Sequence, residues 1–169
     1  MHKEFTTKLP SKARIKNITG RTMDYIFQYP TLYQSTKPVY SERMIDTPAA
    51  TGIAIYSAAL IMVANKKIDD TPLFDDLFDR IESVIAKQSS REMKTAFLES
   101  ATTACGQVID IIKDTDVQAQ AFHALERLSL LPESESICLV INEDQYKKAQ
   151  QNYEHSKAEP HGKNRQIPA

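Results

Sequence analysis

Residues 46–67 read Asp46-Thr47-Pro48, then AATGIAIYSAALIMVA over 49–64, then Asn65-Lys66-Lys67. An uncharged run of this kind is either a membrane span or a helix covered on every side by protein. A span needs about 20 apolar residues at a rise of ~1.5 Å each. This run is shorter and carries Thr51, Tyr56 and Ser57, so it reads as the central helix of a helical bundle, apolar around its circumference because neighbours surround it. Ala50, Ala54 and Ala58 recur every four residues and make a flat stripe for close helix approach. Ile53, Tyr56, Leu60 and Val63 make the bulkier face.

The neighbours announce themselves through their starts. Asp46-Thr47-Pro48 and Asp70-Thr71-Pro72 repeat one signature, Thr as N-cap and Pro at the first helical position, where its missing N–H costs nothing. Ser89-Ser90-Arg91-Glu92 and Thr115-Asp116-Val117-Gln118 both fit a capping box. Behind the second start, Leu73, Leu77, Ile81 and Val84 form an apolar row beside Phe74, Phe78 and Ile85, with Asp75, Asp76, Asp79, Arg80 and Glu82 opposite. Behind the third, Phe97, Ala101, Ala104, Val108 and Ile111 step 4-3-4-3, and Val117, Ala121, Ala124, Leu128 and Leu131 repeat those steps behind the fourth. The short join Lys113-Asp114-Thr115 makes these two helices antiparallel neighbours.

The fold class that follows is all-α: a bundle-like core of four helices over about 48–66, 72–88, 90–113 and 116–131. Past Pro132 the pattern changes, and Ile137–Ile141 reads equally as a buried strand or a helix start. Asn142-Glu143-Asp144-Gln145 then caps a helix to about His155, with Tyr146, Ala149 and Tyr153 on one side. Residues 1–47 form an irregular basic arm, with extended pieces at Lys12–Ile18 and Tyr25–Tyr33 and helix disfavoured by Pro10, Pro30 and Pro38. The domain division is 1–47 arm, 48–157 helical domain, and 158–169 a polar, disordered tail.

Composition narrows the function classes. The 169 residues carry 21 Lys+Arg and 22 Asp+Glu for a net charge of -1, so the whole chain names no polyanionic or polycationic partner. The balance is uneven along the chain: residues 1–47 hold eight basic and four acidic side chains, while 48–131 hold eight and twelve. An electropositive arm therefore precedes an acidic body and can fold back on it. Four glycines in the chain argue against a glycine-rich phosphate loop. Cys105 and Cys138, 33 positions apart without a C-x-x-C pattern, read as small buried apolar residues in a reducing compartment. With no apolar leader at Met1-His2-Lys3-Glu4-Phe5, a cytoplasmic location is expected.

A search for chemistry assigns no catalytic residue, no metal site and no cofactor. His123 stands beside an apolar seam without a partner in sequence. Asp75 and Asp79 share a helix face where a hard cation could sit, but acids in a first turn serve the helix dipole, and Asp76 with Arg80 makes an i,i+4 ion pair. The informative constellation is the arm. Lys12, Arg14, Lys16 and Arg21 suit phosphates, and Tyr25, Phe27, Tyr29 and Tyr33 suit stacking on unpaired bases or anchoring at a protein interface. The expected function is a non-enzymatic binding or regulatory protein working through protein contacts, with homo-oligomerisation open. Its alternative is a nucleic-acid-binding regulator using that arm.

Overall fold

A computed structural model describes residues 1–30, 32, 40–64 and 73–158. Among them are six α-helices: α1 (Lys12–Gln28), α2 (Pro48–Ala64), α3 (Leu73–Lys87), α4 (Arg91–Ile111), α5 (Thr115–Ser129) and α6 (Glu143–Ala158). Two strands, β1 (His2–Thr6) and β2 (Cys138–Asn142), and two short 3-10 turns at Glu42–Ile45 and Pro132–Ser136 complete the elements. No helix of the described residues is long and apolar enough to cross a membrane.

The helical core forms as the periodicity requires. α2 is covered on its several sides by α1, α3 and α4, and Ala54, Ile55, Tyr56, Ser57, Ala58 and Ala59 are all buried although they point around the whole circumference. Its start is capped by Thr47, whose Oγ1 accepts from the Ala50 N–H at 3.1 Å. α4 is the longest helix and is buried on two faces. Phe97, Ala101, Ala104 and Val108 form the expected seam, and Leu98, Thr102, Cys105 and Ile109 are buried beside it. Val117, Ala121, Ala124 and Leu128 of α5 are buried likewise; each such large apolar side chain contributes about 1.5–3 kcal/mol by leaving water. The start signal Asp70-Thr71-Pro72, Tyr33 and the tail beyond 158 lie outside the described residues.

Of the two readings of Ile137–Ile141 the strand is the one observed, as β2, and the helix expected from the Asn142 start follows it as α6. Ile137, Leu139 and Ile141 face inward, and Cys138 and Val140 face solvent. Cys138 is thus an exposed thiol, contrary to its buried reading, because the period of two in a strand places it opposite its apolar neighbours. β2 lies close on α4 at Gly106: a Cβ there would stand 2.8 Å from Leu139 Cδ1. α6 begins where Asn142 Oδ1 accepts from the Gln145 N–H at 3.0 Å. Its Tyr146 and Tyr153 both lie against Phe122 of α5, with ring centroids 5.5 Å apart in each case.

The expectation of irregular backbone over residues 1–47 is corrected. β1 pairs in parallel with β2 from His2 opposite Cys138 to Thr6 opposite Asn142, and residues 12–28 are one continuous helix. The alternation over Lys12–Ile18 was the weaker of two patterns. Ile15, Ile18, Thr22, Tyr25, Ile26 and Tyr29 share one face of a 3.6-residue spiral, and that face packs on α2. The prolines bracket the helix without breaking it. Pro10 precedes the N-cap Ser11, whose Oγ accepts from the Arg14 N–H at 3.3 Å, and Pro30 follows the last turn.

Two local expectations change as well. α5 is capped by Asp114, not by a box beginning at Thr115: Asp114 Oδ1 accepts from the N–H groups of Asp116 at 3.0 Å and Val117 at 3.1 Å. A carboxylate so placed also favours the positive end of the helix dipole. The acids of α3 are held by Arg127 of α5, whose guanidinium stands 2.8 Å from both Asp79 and Glu82 and 3.9 Å from Asp75. Those contacts tie α3 to α5 and place a cation among the side chains considered for a metal.

Candidate functional site

α1 and α4 both pack on α2 and leave a groove between them with α2 as its floor. The floor is Ala49, Gly52, Ile53 and Tyr56. One wall is Ile18, Arg21 and Thr22 of α1, and the other is contributed by α4 from Ala96 to Gln107. Its volume is about 420 Å³, open along its length. The small residues of the floor, Ala49 and Gly52, come from the alanine-rich run of α2, and Ile53 and Tyr56 are its bulky part. Gly52 sits where a Cβ would come within 2.8 Å of Ser100 Oγ, so the missing side chain lets α2 and α4 close on each other. Ser100 then donates to the Pro48 carbonyl across that contact.

The two walls carry opposite charges. Arg21 stands on α1 and Glu99 on α4, both exposed, and neither has an ion-pair partner among the described residues. Thr103 and Gln107 add hydrogen-bonding groups on the α4 side. Nearby, Asp110 accepts from the Asn142 N–H at 3.1 Å, and burial raises its carboxyl to about 6 against the lowering effects of that bond and of Arg14. The groove lining has no histidine and no cysteine. It can offer shape, hydrogen bonds and one charge of each sign.

The structure separates the side chains singled out in the arm. Tyr25 is buried, and its hydroxyl donates to the Met44 carbonyl at 3.0 Å; burial raises its pKa well above the usual phenol value. Tyr29 is half-buried with its ring 5.0 Å from that of Tyr25. Arg14 and Arg21, seven residues apart, share the flank of α1 that faces α4, where Arg21 reaches the groove. Lys12, Lys16, Met23 and Phe27 lie along the opposite flank, at helical spacings of four and seven. Phe27 is 72% exposed there. The arm therefore supplies two separate surfaces.

Most of the groove was missed in the sequence: Glu99, Ser100, Thr103 and Gln107 sit on the polar side of a helix recognised by its apolar seam. The signal that points to them is Gly52, the one glycine in the long apolar run of α2. His123, the other candidate, is half-buried against Tyr153 with ring centroids 5.2 Å apart, and its Nδ1 lacks a hydrogen-bond partner. Set beside known proteins, the chain matches no protein-family model, no curated protein and no solved structure.

Proposed function

We propose that the chain is a non-enzymatic binding protein that holds a segment of a partner polypeptide in the groove between α1 and α4. One observation carries this reading: both walls present a charge, Arg21 and Glu99, that no neighbour among the described residues neutralises, above a floor that is low at Ala49 and Gly52 and apolar at Ile53 and Tyr56. Slender side chains on the partner approach over Ala49 and Gly52, and its own charges meet Arg21 and Glu99. Rim charges of this kind set orientation and association rate more than affinity. The test is to identify a partner with the immobilised chain and then measure its purified binding to three forms. Thr103→Arg fills the groove and should weaken binding by about tenfold or more, while Lys12→Ala with Lys16→Ala leaves it unchanged. Equal binding by the Thr103→Arg form refutes the groove.

A second reading, a nucleic-acid-binding regulator, draws on the flank of α1 where Lys12 and Lys16 line up with exposed Phe27. Cations there neutralise phosphates and the ring stacks on an unpaired base. Binding to single-stranded DNA or RNA should then weaken steeply with salt, and neutralising Lys12 and Lys16 should flatten the slope of log K against log salt by roughly 0.7 per contact. An unchanged slope removes that flank from any such interface.

A further inference from the structure

We propose that a second, polar cavity, between the start of α5 and the middle of α6, is a binding site for a phosphate-class oxyanion. It has a volume of about 230 Å³ and is lined by Lys113, Thr115, Gln118, Gln145, Lys148 and Asn152, among others. Its chemistry follows from a chain of amides whose orientation is dictated at one end. The Ile109 carbonyl, in the last turn of α4, receives the Gln118 Nε2 at 3.3 Å. A carbonyl accepts only, so this contact fixes the Gln118 amide with its nitrogen toward α4. The same nitrogen donates to Gln145 Oε1 at 3.3 Å, and Gln118 Oε1 accepts from Asn152 Nδ2 at 3.0 Å.

Gln145 is consequently turned with its oxygen inward and its NH2 group toward the cavity. The residue is 8% exposed, and its Nε2 lines the cavity without an acceptor among the described residues. The nitrogen opens on the cavity, where it can donate to a bound ligand. Lys113 and Lys148 flank it, and neither has a carboxylate within ion-pair distance among the described residues, in contrast to Lys147, which pairs with Glu143 at 3.1 Å. The α5 N-terminus is not the attraction, because Asp114 already occupies its N–H groups. What remains is two cations and the Gln145 amide nitrogen, beside Thr115, Gln151 and Asn152 groups that can donate or accept, around a space the size of about eight waters at ~30 Å³ each. That space takes a tetrahedral oxyanion and its immediate substituent, and it is smaller than the ~300 Å³ at which drug-sized ligand pockets begin. The ligand is therefore inorganic phosphate or the phosphate end of a small monoester.

The experiment is a titration of the isotope-labelled full chain, followed by amide chemical shifts. It uses sodium phosphate in one arm and glycerol 2-phosphate in the other, each against sodium chloride at equal ionic strength. Saturating shifts confined to residues 113–118 and 145–152 are expected. Lys113→Met with Lys148→Met, two exposed positions that leave the fold intact, should weaken binding by about tenfold or more. Gln145→Leu should weaken it severalfold with both lysines present. Tighter binding of the monoester assigns an organic phosphate and the reverse assigns the free ion. Non-saturating shifts in both arms, shifts scattered over unrelated lysines, or an affinity unchanged in the double lysine variant would overturn the site.

Discussion

α4 and α1 are both long helices packed on α2, and they differ in what their inner faces are made of. α4 buries two faces that are mainly apolar, with Phe97, Leu98, Ala101, Ala104, Val108 and Ile109 far outnumbering the buried polar Thr102 and Asp110. α1 buries one face, and that face is half polar: Thr22 returns its hydroxyl to the Ile18 carbonyl at 2.9 Å, and Tyr25 sends its own to Met44. A buried hydroxyl that finds a local acceptor costs little, so such a face packs adequately while leaving only a weak apolar signal. The consequence is energetic as well. α4 belongs to the centre of the cooperative unit, whereas α1 is held from one side and is the element expected to open first.

The largest effect that separates the two regions lies at Phe97, which is 1% exposed at the α4 seam. Phe97→Ala should cost about 3–5 kcal/mol, read as a drop in the urea midpoint of the whole transition. A smaller drop confined to one part of the chain would mean that α4 is not central.

Next in size is a pH effect where the two helices come near each other. Asp110 of α4 has its carboxyl raised to about 6, chiefly by burial, from an ordinary value of 3.8. A carboxyl that protonates more readily in the folded chain contributes stability that is complete below the unfolded value and is lost as pH rises through about 6. Asp110→Asn keeps an acceptor for the Asn142 N–H but does not titrate. Its stability should therefore lose that slope and exceed the wild type by about 1–2 kcal/mol above pH 6. Parallel stability curves for the two forms across this range would show that Asp110 does not titrate as burial dictates.

The unequal legibility of the two regions has the same physical origin. Seams at 4-3-4-3 spacing, the Thr47 cap and the uncharged run 49–64 are local patterns of strong apolar contrast; the structure carries the first two and buries Ala54–Ala59 of the third all round, while Ala49, Val63 and Ala64 at its ends are exposed and Gly52 and Ile53 line the groove. The α1 helix was hidden because three prolines in residues 1–47 read as breakers, although Pro10 and Pro30 fall just outside its ends. The groove and the polar cavity between α5 and α6 were hidden for another reason. Each joins residues distant in the chain, Arg21 with Glu99 and Gln118 with Gln145, and periodicity describes one element at a time.

The cap of α5 shows how fine that limit is, because Asp114 and Thr115 are adjacent and both are capping residue types. Asp114→Ala removes the acceptor for two N–H groups and should cost about 1 kcal/mol, while Thr115→Ala should stay within about 0.5 kcal/mol. Thermal midpoints of the two variants decide between them, and the reverse ranking would restore the cap to Thr115.

The smallest effect cuts the comparison of α1 with α4 most finely, since their caps are chemically alike. Ser11 Oγ accepts from the Arg14 N–H at 3.3 Å, and Ser90 Oγ from the Met93 N–H at 3.1 Å. Removing either hydroxyl takes away about 0.5–1 kcal/mol of helix stability. Ser90→Ala should move the global urea midpoint, because α4 unfolds only with the whole chain. Ser11→Ala should leave that midpoint nearly unchanged and instead speed hydrogen exchange at the amides of α1, because a helix held on one face opens before the rest. If both substitutions move the global midpoint equally, α1 is part of the same cooperative unit as α4, and the polar atoms of its inner face bind it as firmly as an apolar seam would.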